Sequence, residues 1–181
     1  MNKLQQLARL CDTLSEWTGR LVAWLTLGMV LTTFVIVILR YAFNMGWIAM
    51  QESVTYMHTM VFMLGAAYTL KHDGHVRVDI FYAKFGPRGK AVVDLAGTLL
   101  LLVPVCAFIL YSSWGYVAES WSLHEGSMET GGLPWVYWLK TTLVALPVLM
   151  LIQGLSLALH SLLTLTGHRQ GAPEHDANRE L

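Results

Sequence analysis

Four long apolar blocks dominate the pattern of hydrophobic and polar positions along the chain. The stretches that contain no Asp, Glu, Lys or Arg are Leu21–Leu39, Ser53–Leu70, Leu95–Ala118 and Thr141–Leu165. A helix needs roughly 18–20 apolar residues to cross about 30 Å of hydrocarbon. The pattern therefore predicts an all-α integral membrane protein with four transmembrane helices.

The composition supports a membrane protein over a soluble helical bundle. Hydrophobic residues make up 55% of the chain, charged residues 13%, and the mean hydropathy is +0.49. Helices of a soluble bundle normally keep one polar face, and such long stretches without a charge are rare in them. A cleaved signal peptide is disfavoured because the first apolar block begins at residue 21, is too long and has no small-residue cleavage site after it. The first helix is expected to stay in the mature protein.

The distribution of Lys and Arg predicts the orientation of the helices. Cytoplasmic loops of membrane proteins carry an excess of these residues. Ten of the twelve fall on one side of the predicted spans, against Arg40 and Lys140 on the other. The prediction is that both termini and the middle loop are cytoplasmic. Because the formal net charge is zero and no nucleic-acid motif is present, the basic residues are interpreted as orientation signals.

The chain divides into three predicted parts: an amphipathic cytoplasmic segment over residues 1–20, a four-helix transmembrane domain over residues 21–165 and a polar cytoplasmic tail over residues 166–181. In the first part, apolar residues recur at intervals of three and four, at Leu7, Leu10, Leu14, Trp17 and Leu21. This spacing is typical of an amphipathic helix that lies on the membrane surface. A frayed polar N-terminus is the alternative.

Turn residues and prolines mark the expected breaks. Asn44-Met45-Gly46 and Asp73-Gly74 predict short turns before and after the second span. Pro104 and Pro147 lie near the middle of the third and fourth spans, where a kink is expected.

Ionisable side chains within apolar stretches are costly, so Glu52 and His58 are candidate functional residues. Arg40 lies at the same end of the predicted first hairpin as Glu52, and we predict an ion pair between them. A lipid-facing Arg40 that extends to the membrane surface is the open alternative. His58 is interpreted as a packed, hydrogen-bonded histidine more readily than as a metal ligand.

The sequence shows no set of residues that indicates catalysis or a cofactor. There is no G-x-S-x-G, no Gly-rich phosphate loop and no nucleophile beside a base, so we expect neither an enzyme nor a bound cofactor. Cys11 and Cys106 are too far apart to predict a disulfide or a metal site. A cluster in the middle loop lacks metal-ligand spacing and is interpreted as solvated: His72, Asp73, His75 and Asp79.

Several of these features recur together in a known family. The motifs are Arg40-Tyr41-Ala42-Phe43-Asn44, Trp47, Glu52, the run from Lys71-His72-Asp73-Gly74-His75 to Asp79, and Gly126-Ser127-Met128-Glu129 followed by Pro134-Trp135. They resemble the small permease subunit, DctQ type, of tripartite ATP-independent periplasmic (TRAP) transporters. The resemblance covers about residues 20–165, and its most specific motifs lie between Arg40 and Asp79.

The resemblance implies a subunit of the bacterial inner membrane that braces a large permease subunit. The large subunit would take up an organic anion with sodium, after a periplasmic solute-binding protein captures it. The resemblance implies that Arg40, Trp47 and Glu52 form the periplasmic edge of the subunit. It also implies that His75 and Asp79 form a cytoplasmic corner. These five residues are the candidates for structural or subunit-interface roles.

Two other functions fit a small four-helix membrane protein. A b-type cytochrome would bind haem through His58 and a second histidine such as His160, but antiparallel helices place these residues at different depths. A small multidrug exporter would use a membrane glutamate such as Glu52, although this residue lies towards one surface. Both are less favoured than a transporter subunit.

Overall fold

The computed structural model of this chain describes residues 3–76 and 79–167, except for the side chains of Asp79 and Phe81. In this part the residues form helices and turns, with no strand, and the predicted all-α class is confirmed. The helices are α1 (Lys3–Ala42), α2 (Ile48–Lys71), α3 (Asp79–Tyr82), α4 (Pro87–Gly97), α5 (Val103–Ser122) and α6 (Val136–Leu165), with a π-helical segment, Thr98–Leu102, between α4 and α5.

The N-terminal segment and the first apolar block form one helix of 40 residues, α1. The predicted helical periodicity of the first 20 residues is confirmed, and the frayed alternative is wrong. One face of α1 is buried and consists mostly of small residues: Ala8, Cys11, Ser15, Gly19 and Val22. The face that carries Leu10, Trp17 and Leu21 is exposed. The small residues therefore face the protein, while the large apolar residues face away from it.

Helices α1 and α2 form a close hairpin. Asn44 adopts a positive φ of 52°, which suits the end of a helix, and the amide of Met45 donates to the carbonyl of Leu39 at 2.9 Å. The predicted turn at this position is confirmed. Farther from the turn, a Cβ on Gly19 would lie 2.3 Å from the ring of Tyr68. Glycine is required there because the ring of α2 occupies the space of a side chain on α1.

Helix α6 is the centre of the bundle and packs against α1, α2, α4 and α5. Its buried residues include many small or polar ones: Thr142, Pro147, Gln153, Gly154, Ser156, Ala158, Leu159, Ser161 and Leu163. Small side chains allow neighbouring helices to approach closely, as at Gly154, where a Cβ would lie 2.8 Å from Leu102.

The helix that contains the third apolar block begins before that block. Continuous helical structure starts at Pro87 instead of Leu95 and contains the π-helical segment just before Pro104. Proline lacks an amide proton and collides with the carbonyl four residues earlier, and a π-type turn relieves this conflict. The π-helical segment directly precedes Pro104, whereas Pro147 lies inside the buried part of α6. The kinks expected at both prolines stay predictions.

Three helical stretches are long and apolar enough to cross a membrane: Lys3–Ala42, Pro87–Ser122 and Val136–Leu165. Helix α2 has 24 residues, which is long enough, but it is not among them. Its sequence contains Gln51, Glu52 and His58, which lower its hydropathy. The structure thus supports three of the four predicted spans by length and composition.

Candidate functional site

Glu52, in the second turn of α2, is bonded to the loop between α5 and α6. The hydroxyl of Ser127 donates to one carboxylate oxygen of Glu52, and the amide of Leu133 donates to the other at 2.6 Å. The amide of Ser127 also donates to the carbonyl of Leu133 at 2.9 Å, which closes the loop on itself. We call Glu52, Ser127 and Leu133 the Glu52 cluster. It fixes residues 127–133 against the start of α2.

Glycines allow the loop to reach the carboxylate. A Cβ on Gly132 would lie 2.4 Å from the hydroxyl oxygen of Ser127 and 2.8 Å from Glu52, both too close for any side chain. Gly131 has a φ of +82°, in the left-handed region that favours glycine. The pair Gly131-Gly132 therefore has a local structural reason: it brings the backbone onto Glu52.

A second carboxylate, Glu125, holds the same loop to α5 and α6. Its Oε2 accepts hydrogen bonds from the Ser120 hydroxyl at 2.6 Å and from the Lys140 ammonium. These partners, Lys140 first, hold the pKa of the Glu125 carboxyl below its ordinary value of 4.5. The Lys140 ammonium also lies 3.9 Å from the centroid of the Tyr116 ring, a cation–π contact. We call these residues the Glu125 cluster.

At the opposite end of the bundle, Asp12 joins α1 to α6. Its Oδ1 accepts hydrogen bonds from the Ser156 hydroxyl at 2.6 Å and from the Gln153 amide at 3.1 Å. Its Oδ2 lies 2.9 Å from Nε2 of His160. This Asp12 cluster places a half-buried carboxylate among three polar side chains at a helix contact. His160 thus contacts a carboxylate through Nε2, one of the two ring nitrogens that could ligate haem.

One turn along α1, Glu16 joins α1 to α2. Its Oε2 accepts a hydrogen bond from the Lys71 ammonium at 2.7 Å and lies 2.9 Å from Nε2 of His72. Its Oε1 accepts from Arg20 at 2.8 Å. The rings of His72 and Tyr68 are also in contact, with centroids 4.3 Å apart. This Glu16 cluster fixes the last turn of α2 against α1.

The predicted ion pair between Arg40 and Glu52 is wrong. Both oxygens of Glu52 are engaged by the loop, and Arg40 is exposed and has no ion pair among the described residues. Arg40 and Trp47, which is 64% exposed, instead line a groove of 310 Å³ at the hairpin between α1 and α2. Their roles at a subunit edge stay predictions.

The two candidates predicted to be cytoplasmic lie in the connection after α2. The side chain of His75 is exposed, and its Nε2 donates to the carbonyl of Ala66 at 3.2 Å. Asp79 begins α3, but its side chain lies outside the described residues. The turn at Asp73-Gly74 is confirmed, with a φ of 53° at Asp73. Among the described residues, no group of three or more His, Cys, Asp and Glu side chains is arranged to hold a metal ion.

The predicted site residues did not include Asp12 and Glu16, although each joins two helices. The two residues are four positions apart, beside the small buried residues Ser15 and Gly19. A carboxylate pair next to a small-residue face was the available signal for a polar helix contact. Residues three and four apart share a helix face, so the pattern could have placed both acids against neighbouring helices.

Comparisons with known proteins agree with the membrane architecture. Residues 29–164 match the family described as "Tripartite ATP-independent periplasmic transporters, DctQ component". The chain is also 30% identical over 86 residues to a protein of Haemophilus influenzae named as a TRAP transporter small permease protein. That alignment covers 48% of this chain and 53% of the relative, so it spans about half the relative's length. No solved structure matches.

The family match covers most of the chain and includes both segments that meet in the Glu52 cluster. It also contains α2, α5 and almost all of α6. The predicted resemblance is confirmed, and the chain is a transmembrane transport protein. It belongs to the DctQ component family of the tripartite ATP-independent periplasmic transporters.

Proposed function

We propose that this chain is the small inner-membrane subunit that braces the large permease subunit of a TRAP transporter. In this proposal the large subunit carries an organic anion inward with sodium, and a periplasmic solute-binding protein delivers that anion. The small subunit itself is not an enzyme and moves no solute. Its contribution is a rigid helical surface in the membrane.

The proposed topology has four transmembrane helices with both termini in the cytoplasm. Helix α2 is the fourth span, because its 24 residues extend about 36 Å at 1.5 Å per residue and a close hairpin joins it to α1. The excess of Lys and Arg on the side of the termini supports this orientation. The Asp12 and Glu16 clusters then lie towards the cytoplasm and the Glu52 and Glu125 clusters towards the periplasm.

The bracing role is supported by the bonds that the acidic side chains form within the chain. Asp12, Glu16, Glu52 and Glu125 each bind partners within the chain, and these contacts join α1 to α6, α1 to α2, and the loop to the helices. Carboxylates held in this way stabilise the subunit, and they are not available to bind a solute or a coupling cation. Such an arrangement suits a scaffold more than a transport path.

The five predicted site residues keep structural roles in this proposal. Glu52 fixes the periplasmic loop, while Arg40 and Trp47 lie on the exposed edge beside it. His75 and Asp79 belong to the cytoplasmic connection between α2 and α4. The loop held by Glu52 is the proposed contact with the solute-binding protein, because it lies on the proposed periplasmic side.

Co-purification tests the proposal most directly. The tagged chain is extracted in mild detergent from cells that express the complete transporter, and its stoichiometric partners are identified by mass. We expect one much larger, multi-helix membrane protein. We also expect sodium-driven uptake in proteoliposomes that contain both subunits and the binding protein, and loss of uptake when the small subunit is omitted.

Three outcomes would contradict the proposal. The first is a solitary chain that co-purifies with no large membrane protein. The second is a Soret absorption band in the pure protein, which would indicate a haem carrier. The third is proton-driven drug efflux by the chain alone, which would indicate an exporter.

A further inference from the structure

Helix α2 exposes a stripe of polar residues on its outer face. Its outward residues recur at intervals of three and four and are Ile48, Gln51, Thr55, His58 and Phe62. This spacing places them on one face of the helix. We call Gln51, Thr55 and His58 the α2 stripe.

The exposed faces of α1 and α5 have a different chemistry. On α1 they present Trp24, Leu31 and Phe34, and on α5 Phe108 and Tyr111, all more than half exposed. An exposed polar residue on α5, Ser112, bonds the carbonyls of its own helix at 2.8 and 3.2 Å and so needs no outside partner. These surfaces are compatible with lipid chains.

The polar side chains of the α2 stripe, unlike Ser112, do not bond the backbone of their own helix. The imidazole of His58 and the amide of Gln51 are exposed and have no hydrogen-bond partner among the described residues. Within this chain, the interpretation of His58 as a packed, hydrogen-bonded histidine is therefore wrong. His58 lies ten residues after the start of α2 and thirteen before its end, about 15 and 20 Å along the helix axis. A polar group at that depth in lipid is costly, and such groups normally face a protein partner or a cavity.

The groove at the end of the stripe adds a charge. Arg40, Trp47 and Gln51 line this groove of 310 Å³, which adjoins the first turn of α2. Arg40 is exposed there without an ion pair in the part of the chain that the structure describes. A cation at the membrane surface and hydrogen-bonding groups below it thus lie along one side of the α1–α2 hairpin.

We propose that the α2 stripe is the surface on which a transmembrane helix of the large permease subunit packs. That helix presents a hydrogen-bonding side chain at the depth of His58 and an acidic group near Arg40. The inference rests on the proposed function and adds which helix of this chain makes the contact. Lipid chains do not fit the stripe because they offer no hydrogen bonds.

A second copy of this chain fits the stripe less well. Two copies related by a twofold axis along the membrane normal place the same patch on both sides of the contact. The two Arg40 guanidinium groups would then lie at the same depth on the same side and repel each other. A partner with an acidic group at that depth avoids this repulsion.

Photo-crosslinking at two matched phenylalanines tests the proposal in the intact transporter. Phe62 continues the stripe on α2, Phe108 lies on the outer face of α5, and both are 70% exposed. The photoreactive residue benzoylphenylalanine replaces each in turn, in cells that express all subunits. We expect a crosslink from position 62 to the large subunit and none from position 108.

Three other outcomes contradict the proposal or the function on which it rests. Crosslinks to the large subunit from position 108 but not from position 62 overturn the α2 assignment and leave the bracing role intact. Crosslinks from position 62 to a second copy of this chain also overturn it. Absence of the large subunit from the purified complex contradicts the proposed function itself.

A substitution pair gives a second measure of the same contact. Hydrogen bonds between membrane helices contribute modestly, so His58→Leu should lower the amount of co-purified large subunit about three- to tenfold. Ser112→Leu is the control, because Ser112 bonds its own backbone. An unchanged yield with His58→Leu, in a protein that folds normally, would contradict a hydrogen-bonding role for His58.

Discussion

The two ends of the bundle use the same acidic residue types to fix different kinds of structure. At one end, Asp12 and Glu16 lie on a single helix and bind side chains of α6 and α2. At the other end, Glu52 and Glu125 bind a loop, and one of the partners of Glu52 is the backbone amide of Leu133. The first end joins helices to each other, whereas the second end gives one shape to a connection between them.

This difference shows where each end is vulnerable. A helix contact depends on many groups packed over a long surface, so removing a central carboxylate should weaken the whole bundle. A loop has little packing of its own, so damage to its carboxylate contacts should free the loop while the helices stay folded.

Loss of the Asp12 carboxylate should have the largest effect. Asp12→Ala removes the acceptor that Ser156, Gln153 and His160 share at the contact between α1 and α6. We expect the free energy of unfolding to fall by about 3 kcal/mol. Thermal unfolding in detergent measures it, with Glu119→Ala as the control because Glu119 is exposed on α5. An equal loss in both variants would contradict a special role for Asp12.

A side chain at Gly19 should separate α1 from α2. The Cβ of Gly19→Ala would lie 2.3 Å from the Tyr68 ring, so one of the helices has to shift. We expect a loss of about 2 kcal/mol in the same unfolding measurement. Gly97→Ala is the matched control, since a Cβ at that helical glycine meets nothing within 4 Å. Comparable stability of the two variants would show that α1 and α2 can shift apart at Gly19 without a loss in the free energy of unfolding.

A side chain at Gly132 should release the loop without unfolding the helices. Its Cβ would collide with Ser127 and Glu52 and break the Glu52 cluster. A spin label at Met128→Cys reports loop motion, because Met128 is 99% exposed. We expect faster label motion with Gly132→Ala and a melting temperature close to that of the parent. Gly115→Ala, which has open space at its Cβ, should change neither quantity. A large drop in melting temperature with Gly132→Ala would contradict the proposed difference between the two ends.

Acid should loosen the same loop more gently. The folded pKa of Glu125 lies below its ordinary value of 4.5, so its pairing stabilises the loop above that pH. This contribution is lost as the pH falls from 4.5 through the folded pKa. Motion of the label at position 128 should rise across this range. In Lys140→Gln, which lacks the ammonium partner, the rise should begin at higher pH; identical profiles would show that Lys140 does not control the titration.

The sequence located the helices well because the signals for them are local. Absence of charge over roughly twenty residues, the turn residues Asn44 and Asp73, and the periodicity from Leu7 to Leu21 each reflect physics within a few turns of chain. The start of α4 at Pro87 was missed because that helix extends beyond the apolar block into a polar segment. The family motifs identified Glu52, but they gave no partner for it.

The partners of the acids could not be obtained in the same way. Arg40 was the natural candidate for Glu52 because it is near in sequence, yet the actual partners lie 75 and 81 residues away. Asp12 finds its partners more than 140 residues away, on α6. Contacts at this separation depend on how each helix is rotated and how far it is shifted along its neighbours.

By itself, the sequence determined a helical membrane protein with apolar segments of spanning length, short turns between some of them and a set of costly polar residues. Those properties follow from the free energy of transferring side chains and backbone groups into hydrocarbon, and this free energy depends on the residues of each segment alone. The tertiary structure decided which polar residues satisfy one another and left Gln51 and His58 facing outward. Pairing requires two groups to share a position in space, and only the packing of the helices sets that position.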